Sequence, residues 1–207
     1  MAFIDDLALE LITLVMVSGL VAYLTGITYL EYRKNGPQNV ENTLRLGIFP
    51  LGALGSVIVI LGLWEEMTWP FPGGSSLYNI AFGDVYLIFG IILLAMVFSL
   101  VLKQKLQVVG FFSFLGGIMA FYYGSIIYTQ GLTKSPLATL ALYSAFGVAG
   151  ILTFPATLAY DYMASGKKPG MGFGVVLLLL WLFFIFGAIL AAIIGVPAVL
   201  QHIQSTP

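Results

Sequence analysis

Residues 171–198 read MGFGVVLLLLWLFFIFGAILAAIIGVPA, a run without one charged side chain. At about 1.5 Å per residue a helix of this length rises roughly 40 Å, more than the hydrocarbon core of about 30 Å that a bilayer presents. A helix apolar on every side must be surrounded by protein or lipid. The run lacks period-two alternation and is too long for a barrel strand, so a membrane-spanning helix is the reading that fits.

Five more runs of the same kind precede it, near 7–30, 44–64, 77–102, 106–129 and 138–163, and none holds Lys or Arg away from its ends. Composition agrees with this pattern. Of 207 residues, 60% are hydrophobic and 8% charged, where soluble domains carry about 25% charged residues. A net charge of −1 and the absence of cysteine exclude a nucleic-acid binder and a disulfide-stapled secreted domain. The sequence predicts an all-α, polytopic membrane helical bundle of six transmembrane helices, forming one domain over 1–207. The first run opens on Asp5 and Asp6 rather than a basic segment and is too long for a cleavable signal peptide.

Loop charges predict orientation. Arg33, Lys34, Arg45, Lys103, Lys105, Lys167 and Lys168 fall on alternate connections, and Lys134 is the one basic residue on the others. The positive-inside rule then puts the loops 31–43, 103–105 and 164–170 in the cytoplasm and both termini on the outer side of the cell membrane. The Lys103-Gln104-Lys105 turn is short enough to hold the third and fourth helices antiparallel and adjacent.

Helices in lipid associate by close packing rather than by a hydrophobic drive, and small residues permit it. Gly110, Gly117, Gly124 and Gly131 recur every seven residues, the period that keeps one seam facing a neighbour, and are expected to form a helix-packing seam. Gly47, Gly52, Gly55 and Gly62 suggest a second, with Pro50 disturbing its inner end. Pro155 is expected to bend the fifth helix, with Thr153 and Thr157 near enough to satisfy the freed carbonyl.

Polar chemistry concentrates in one stretch, Trp64-Glu65-Glu66-Met67-Thr68-Trp69-Pro70-Phe71-Pro72-Gly73-Gly74-Ser75-Ser76, followed by Tyr78, Asn79, Gly83 and Asp84. The Pro-Phe-Pro-Gly-Gly run must turn the chain. Glu65, Glu66, Asn79 and Asp84 form a candidate proton or cation site, because an acid within a span is costly unless paired, hydrated or protonated. Asp84 also reads as an N-cap for a helix starting at Val85, and the Glu pair as a solvated helix exit. Glu31 and Asp161 are expected to pair with Arg33, Lys34, Lys167 and Lys168. Tyr122, Tyr123 and Tyr128 fit an interfacial aromatic belt, Trp181 a helix–helix contact, and His202 a solvated tail.

No catalytic residue set and no metal or cofactor site is predicted. One His in a tail cannot ligate haem or a copper centre, no Lys lies inside a span to hold retinal, and Gly-Lys-Lys-Pro-Gly at 166–170 lacks the context of a phosphate loop.

Glu-Glu-Met-Thr-Trp-Pro-Phe-Pro-Gly at 65–73 and Tyr-Asn-Ile-Ala-Phe-Gly-Asp at 78–84, within six spans, resemble a mainly archaeal family of small membrane proteins of unknown function. The resemblance implies the six-helix fold and no activity. Three function classes follow from the residues. The leading one is a non-catalytic subunit or helix-packing partner in a membrane assembly, since polar residues inside the spans are few. The others are an oligomeric proton or cation transporter with an outer acidic site, and a membrane enzyme acting on lipid or quinone. The expected partners are membrane lipids and either further copies of the chain or other membrane subunits.

Overall fold

A computed structural model describes residues 6–70, 76–170 and 172–205, with side chains placed for 7–70, 77–170 and 172–199. The described residues form seven α-helices and no strand: α1 (Asp6–Asn35), α2 (Val40–Arg45), α3 (Ile48–Thr68), α4 (Ser76–Val101), α5 (Gln107–Gln130), α6 (Pro136–Ala164) and α7 (Gly172–Ser205). All but α2 are long and apolar enough to cross a membrane. They pack as a ring in which α1 meets α7 and α3, α3 meets α4, α4 meets α5, α5 meets α6, and α6 meets α7.

The six long helices match the predicted runs, and the departures lie at their ends. Residues 31–43 are not an open loop. The first helix continues to Asn35, Gly36 turns the chain at φ 76°, and a 3-10 turn (Pro37–Asn39) leads into α2. A positive φ of that size suits glycine, which has no Cβ to clash. Helix α2 buries Val40 and pairs Arg45 with Glu41 at 3.6 Å. Pro50 falls in the first turn of α3, where its missing N–H costs no hydrogen bond, so it does not disturb the helix. The 71–75 turn lies outside the described residues, as does the side chain of His202.

The long helices interlock through a regular inward stripe. On α3 the buried positions are Leu51, Gly55, Ile58, Gly62 and Glu65; on α5 they include Gly110, Ser113, Gly117, Ala120, Gly124 and Ile127. Alternating steps of three and four keep one seam of a helix against its neighbour. The glycines let backbones meet. A Cβ at Gly117 would stand 2.5 Å from the Gly147 carbonyl oxygen and 2.9 Å from the Ile151 nitrogen on α6, and one at Gly62 would stand 2.9 Å from the Leu87 Cα on α4. Gly110 and Gly124 face Thr157 and Tyr143 of α6 in the same way. Gly131 does not join them. It caps α5 in the left-handed region at φ 61°, donating to Ile127 and Tyr128, and nothing lies within 4 Å of its Cβ position. Its seven-residue spacing from Gly124 carries it past the helix end.

Helix α6 runs through Pro155 unbroken. Thr153 donates to Ala149 O and Thr157 to Phe154 O, both at 2.8 Å, so neither hydroxyl serves the Ile151 carbonyl that the proline frees. Threonine's strongest local option is its own i−4 or i−3 carbonyl, which wins over a proline-freed group elsewhere.

Seven basic residues gather at one end of the bundle, called here the basic end. There the Asp161 carboxylate is no rim ion pair. Its two oxygens accept the backbone N–H groups of Leu106 and Gln107, each at 3.0 Å, capping α5 from α6. A carboxylate at a helix N-terminus meets both unsatisfied amides and the positive end of the helix dipole. Glu31 accepts from the side-chain amides of Asn35 and Asn39 at 2.5 and 3.0 Å, with Lys34 a weaker electrostatic neighbour. Deeper in, Trp181 donates to the Thr25 hydroxyl at 2.9 Å and Tyr160 to the Thr25 carbonyl at 2.7 Å, joining α7 and α6 to α1.

Candidate functional site: a carboxyl cluster at the acidic end

The opposite end of the bundle brings together acids from three helices. Helix α3 ends when Trp69 enters the left-handed region at φ 47°. Its backbone N–H donates to Glu65 O and its indole to Glu66 O, both at 3.0 Å, so two of the last free carbonyls are satisfied by one residue. Glu65 and Glu66 are therefore helical, not an exposed exit. Glu65 continues the inward stripe three residues after Gly62 and is fully buried.

Both side chains converge on α4 at Gly83. A Cβ there would stand 2.5 Å from Glu66 Oε1 and 3.2 Å from Glu65 Oε2. Glycine at 83 thus makes the space that two carboxyl groups occupy. One residue on, the Asp84 carboxyl is an electrostatic neighbour of Glu66. On its other side Asp84 accepts a hydrogen bond from the Tyr123 hydroxyl of α5.

Asp84 is not an N-cap. Helix α4 starts at Ser76, so Asp84 sits more than two turns inside it. Asn79 is buried four residues before Gly83, on the same face of α4. Tyr123 leaves the proposed aromatic belt for Asp84, whereas Tyr122 and Tyr128 remain exposed.

A fourth acid was not anticipated. Glu10 lies in the first turns of α1 and is 3% exposed. The Thr13 hydroxyl lies 2.7 Å from the Glu10 carbonyl and 2.5 Å from the Tyr86 hydroxyl of α4. Tyr143 of α6 donates to the Ala81 carbonyl at 2.8 Å. These hydroxyls tie α1, α4 and α6 together beside the acids. Glu10 could have been found from sequence, because an acid between Leu9 and Leu11 inside an apolar window is itself a signal. Among the described residues, no group of three or more His, Cys, Asp or Glu is arranged to hold a metal ion.

The chain belongs to the DUF981 family. The family model matches residues 1–205 and is described as a protein of unknown function. Neither a curated protein nor a solved structure matches the chain. What this DUF981 chain does must therefore be argued from its own residues.

Proposed function

We propose that this is a multi-pass protein of the cell membrane that takes up and releases a proton at the Glu65–Glu66–Asp84 cluster, coupling that step to movement of charge or solute across the bilayer. The observation that carries the reading is the convergence of Glu65 and Glu66 on Gly83, with Glu66 beside Asp84 and Tyr123 beyond it. Charge inside a span is expensive, so such residues sit where protonation is linked to function. Gain or loss of one proton changes the charge of the cluster at a place where three helices meet, which biases how those helices pack.

The assembly-partner role, which leads on the sequence alone, draws on the scarcity of polar residues within the spans and on aromatic faces as well as on glycine seams. Of these, the seam at Gly110, Gly117 and Gly124 is occupied within the chain by α6, so it offers another subunit less. By the positive-inside rule the basic end faces the cytoplasm, and both termini and the carboxyl cluster face outward. Six helices are few for a complete path, so the reading carries a homo-oligomer with it.

The test is reconstitution in liposomes loaded with a pH-sensitive dye. Wild-type protein is expected to collapse an imposed pH gradient, and Asp84→Asn and Glu66→Gln to slow it. Unchanged proton flux in a folded Asp84→Asn variant would overturn the proposal.

A further inference from the structure

The turn from α4 to α5, at the basic end, carries two lysines on a backbone that is fixed on both sides. Helix α4 closes with Leu102 donating to Phe98 O at 2.9 Å and Gln104 to Ser99 O at 2.8 Å. That closure puts Lys103 in the left-handed region, at φ 54°. Glycine is the usual residue there, because a Cβ crowds the following carbonyl. A lysine bears that strain and adds a charged side chain in return. On the far side of the turn, Asp161 holds the Leu106 and Gln107 amides at 3.0 Å, so the chain around Lys105 is held as well.

A cleft of about 210 Å³ lies between this turn, α2 and the end of α6. Lys103, Gln104 and Lys105 line it, with Ser99 and Ser165. It is smaller than the roughly 300–1,000 Å³ of a small-molecule site, so it takes a group the size of a phosphate and not a whole ligand. The two acids in its lining are already engaged. Both Asp161 oxygens accept backbone amides, and Glu41 faces Arg45 at 3.6 Å. Neither lysine has an ion-pair partner among the described residues. At this end of the bundle seven cations stand against Glu31, Glu41 and Asp161, an excess of four positive charges.

The turn also borders lipid-compatible surface. The spans it joins have 25 and 24 residues and rise about 36 Å, slightly more than the hydrocarbon core of about 30 Å, so the turn lies at head-group depth. Phe98 and Leu102 on α4 and Val108 on α5 are exposed beside it. We propose that the cleft binds the phosphate of an anionic phospholipid through Lys103 and Lys105, with the acyl chains along Phe98, Leu102 and Val108. Charge complementarity selects the head, and the apolar flank selects a lipid over a free anion. The site lies at the opposite end of the bundle from Glu66 and Asp84, so it stands whatever becomes of the proton reading.

The test incubates the full chain, in an uncharged detergent, with equimolar phosphatidylglycerol and phosphatidylcholine of identical chains. The protein is repurified and its retained lipid counted by mass spectrometry. Wild-type protein is expected to prefer phosphatidylglycerol about thirtyfold, the worth of two lysines near a membrane surface. Lys103→Gln with Lys105→Gln is expected to erase most of that preference. Lys167→Gln with Lys168→Gln, which removes the same charge elsewhere at this end, is expected to keep most of it. Lys103→Gly is expected to raise stability, by relieving the left-handed lysine, and yet to lower the preference about fivefold. Equal retention of the two lipids by wild-type protein would overturn the proposal, and that comparison needs no variant to fold. An equal loss in both double variants would leave only diffuse charge and would overturn the site, as would a full preference in Lys103→Gly. Release of the lipid by inorganic phosphate, but not by chloride at the same ionic strength, would assign the cleft to a free anion instead.

Discussion

Replacing Gly117 by alanine adds one methyl group to the α5–α6 seam, and the structure says where that group goes. Its Cβ would stand 2.5 Å from Gly147 O, 2.9 Å from Ile151 N and 3.2 Å from Gly150 C. All three are backbone atoms, so no rotamer change relieves the clash and the helices must separate. A gap of about 1 Å forfeits up to roughly half of each van der Waals well along the seam, and in lipid that packing is the main cohesion between helices. Overpacking of this kind costs about 1–3 kcal/mol, a shift of about 5- to 150-fold in the folded-to-unfolded ratio. The control is Gly19→Ala. Nothing lies within 4 Å of its Cβ position, and alanine is the better helix former by about 0.5–1 kcal/mol. The two substitutions are therefore expected to move stability in opposite directions. Reversible unfolding by SDS in mixed micelles, followed by far-UV circular dichroism, measures both. If Gly117→Ala matches Gly19→Ala in stability, the close seam is not what holds α5 to α6.

Other expectations come from single contacts. Gly131→Ala should cost about 1–2 kcal/mol in the same titration because the cap is left-handed, whereas Gly131→Asn, which tolerates that region, should cost less. Asp161→Ala strips the α5 N-terminus of both side-chain acceptors and should cost about 1 kcal/mol or more; Asp161→Asn, keeping one acceptor, should fall between. Gly83→Ala places a methyl group against the Glu65 and Glu66 carboxyls, and in the liposome assay it should lower proton flux as Asp84→Asn does. Thr25→Val leaves the Trp181 indole N–H without its acceptor and should destabilise the α1–α7 contact by about 1–3 kcal/mol, seen in the same unfolding titration.

Hydropathy made the six long helices legible, because an uncharged run longer than 20 residues has few other readings. It could not resolve α2 or the reach of α1 to Asn35, where the chain leaves the apolar pattern and local turn chemistry at Gly36 decides. The seven-residue glycine period located the α5 seam but not its end, since period alone does not say where a helix stops. For the acidic end, Glu65, Glu66, Asn79 and Asp84 stood out by composition in the sequence. That Glu65 is buried follows from its step of three after Gly62, a continuation of the stripe visible in Leu51, Gly55, Ile58 and Gly62. Partners from distant helices were not legible. Tyr123 reaches Asp84 across 39 residues of sequence and Thr13 reaches Tyr86 across 73, and no local rule connects them. Asp161 was misjudged because nearby lysines suggested ion pairs, while the amides it caps lie on another helix.

The meeting of Gly117 with Gly147 and Gly150 also limits how the molecule can move. An interface of interleaved side chains can slide by changing rotamers, but one made of main-chain atoms has a single register. Helices α5 and α6 therefore behave as one rigid strut. Any widening of the space at the centre falls to the opposite wall, where α1 meets α4 through the Thr13 and Tyr86 hydroxyls and through side chains such as Val17 and Leu93, which can change rotamer.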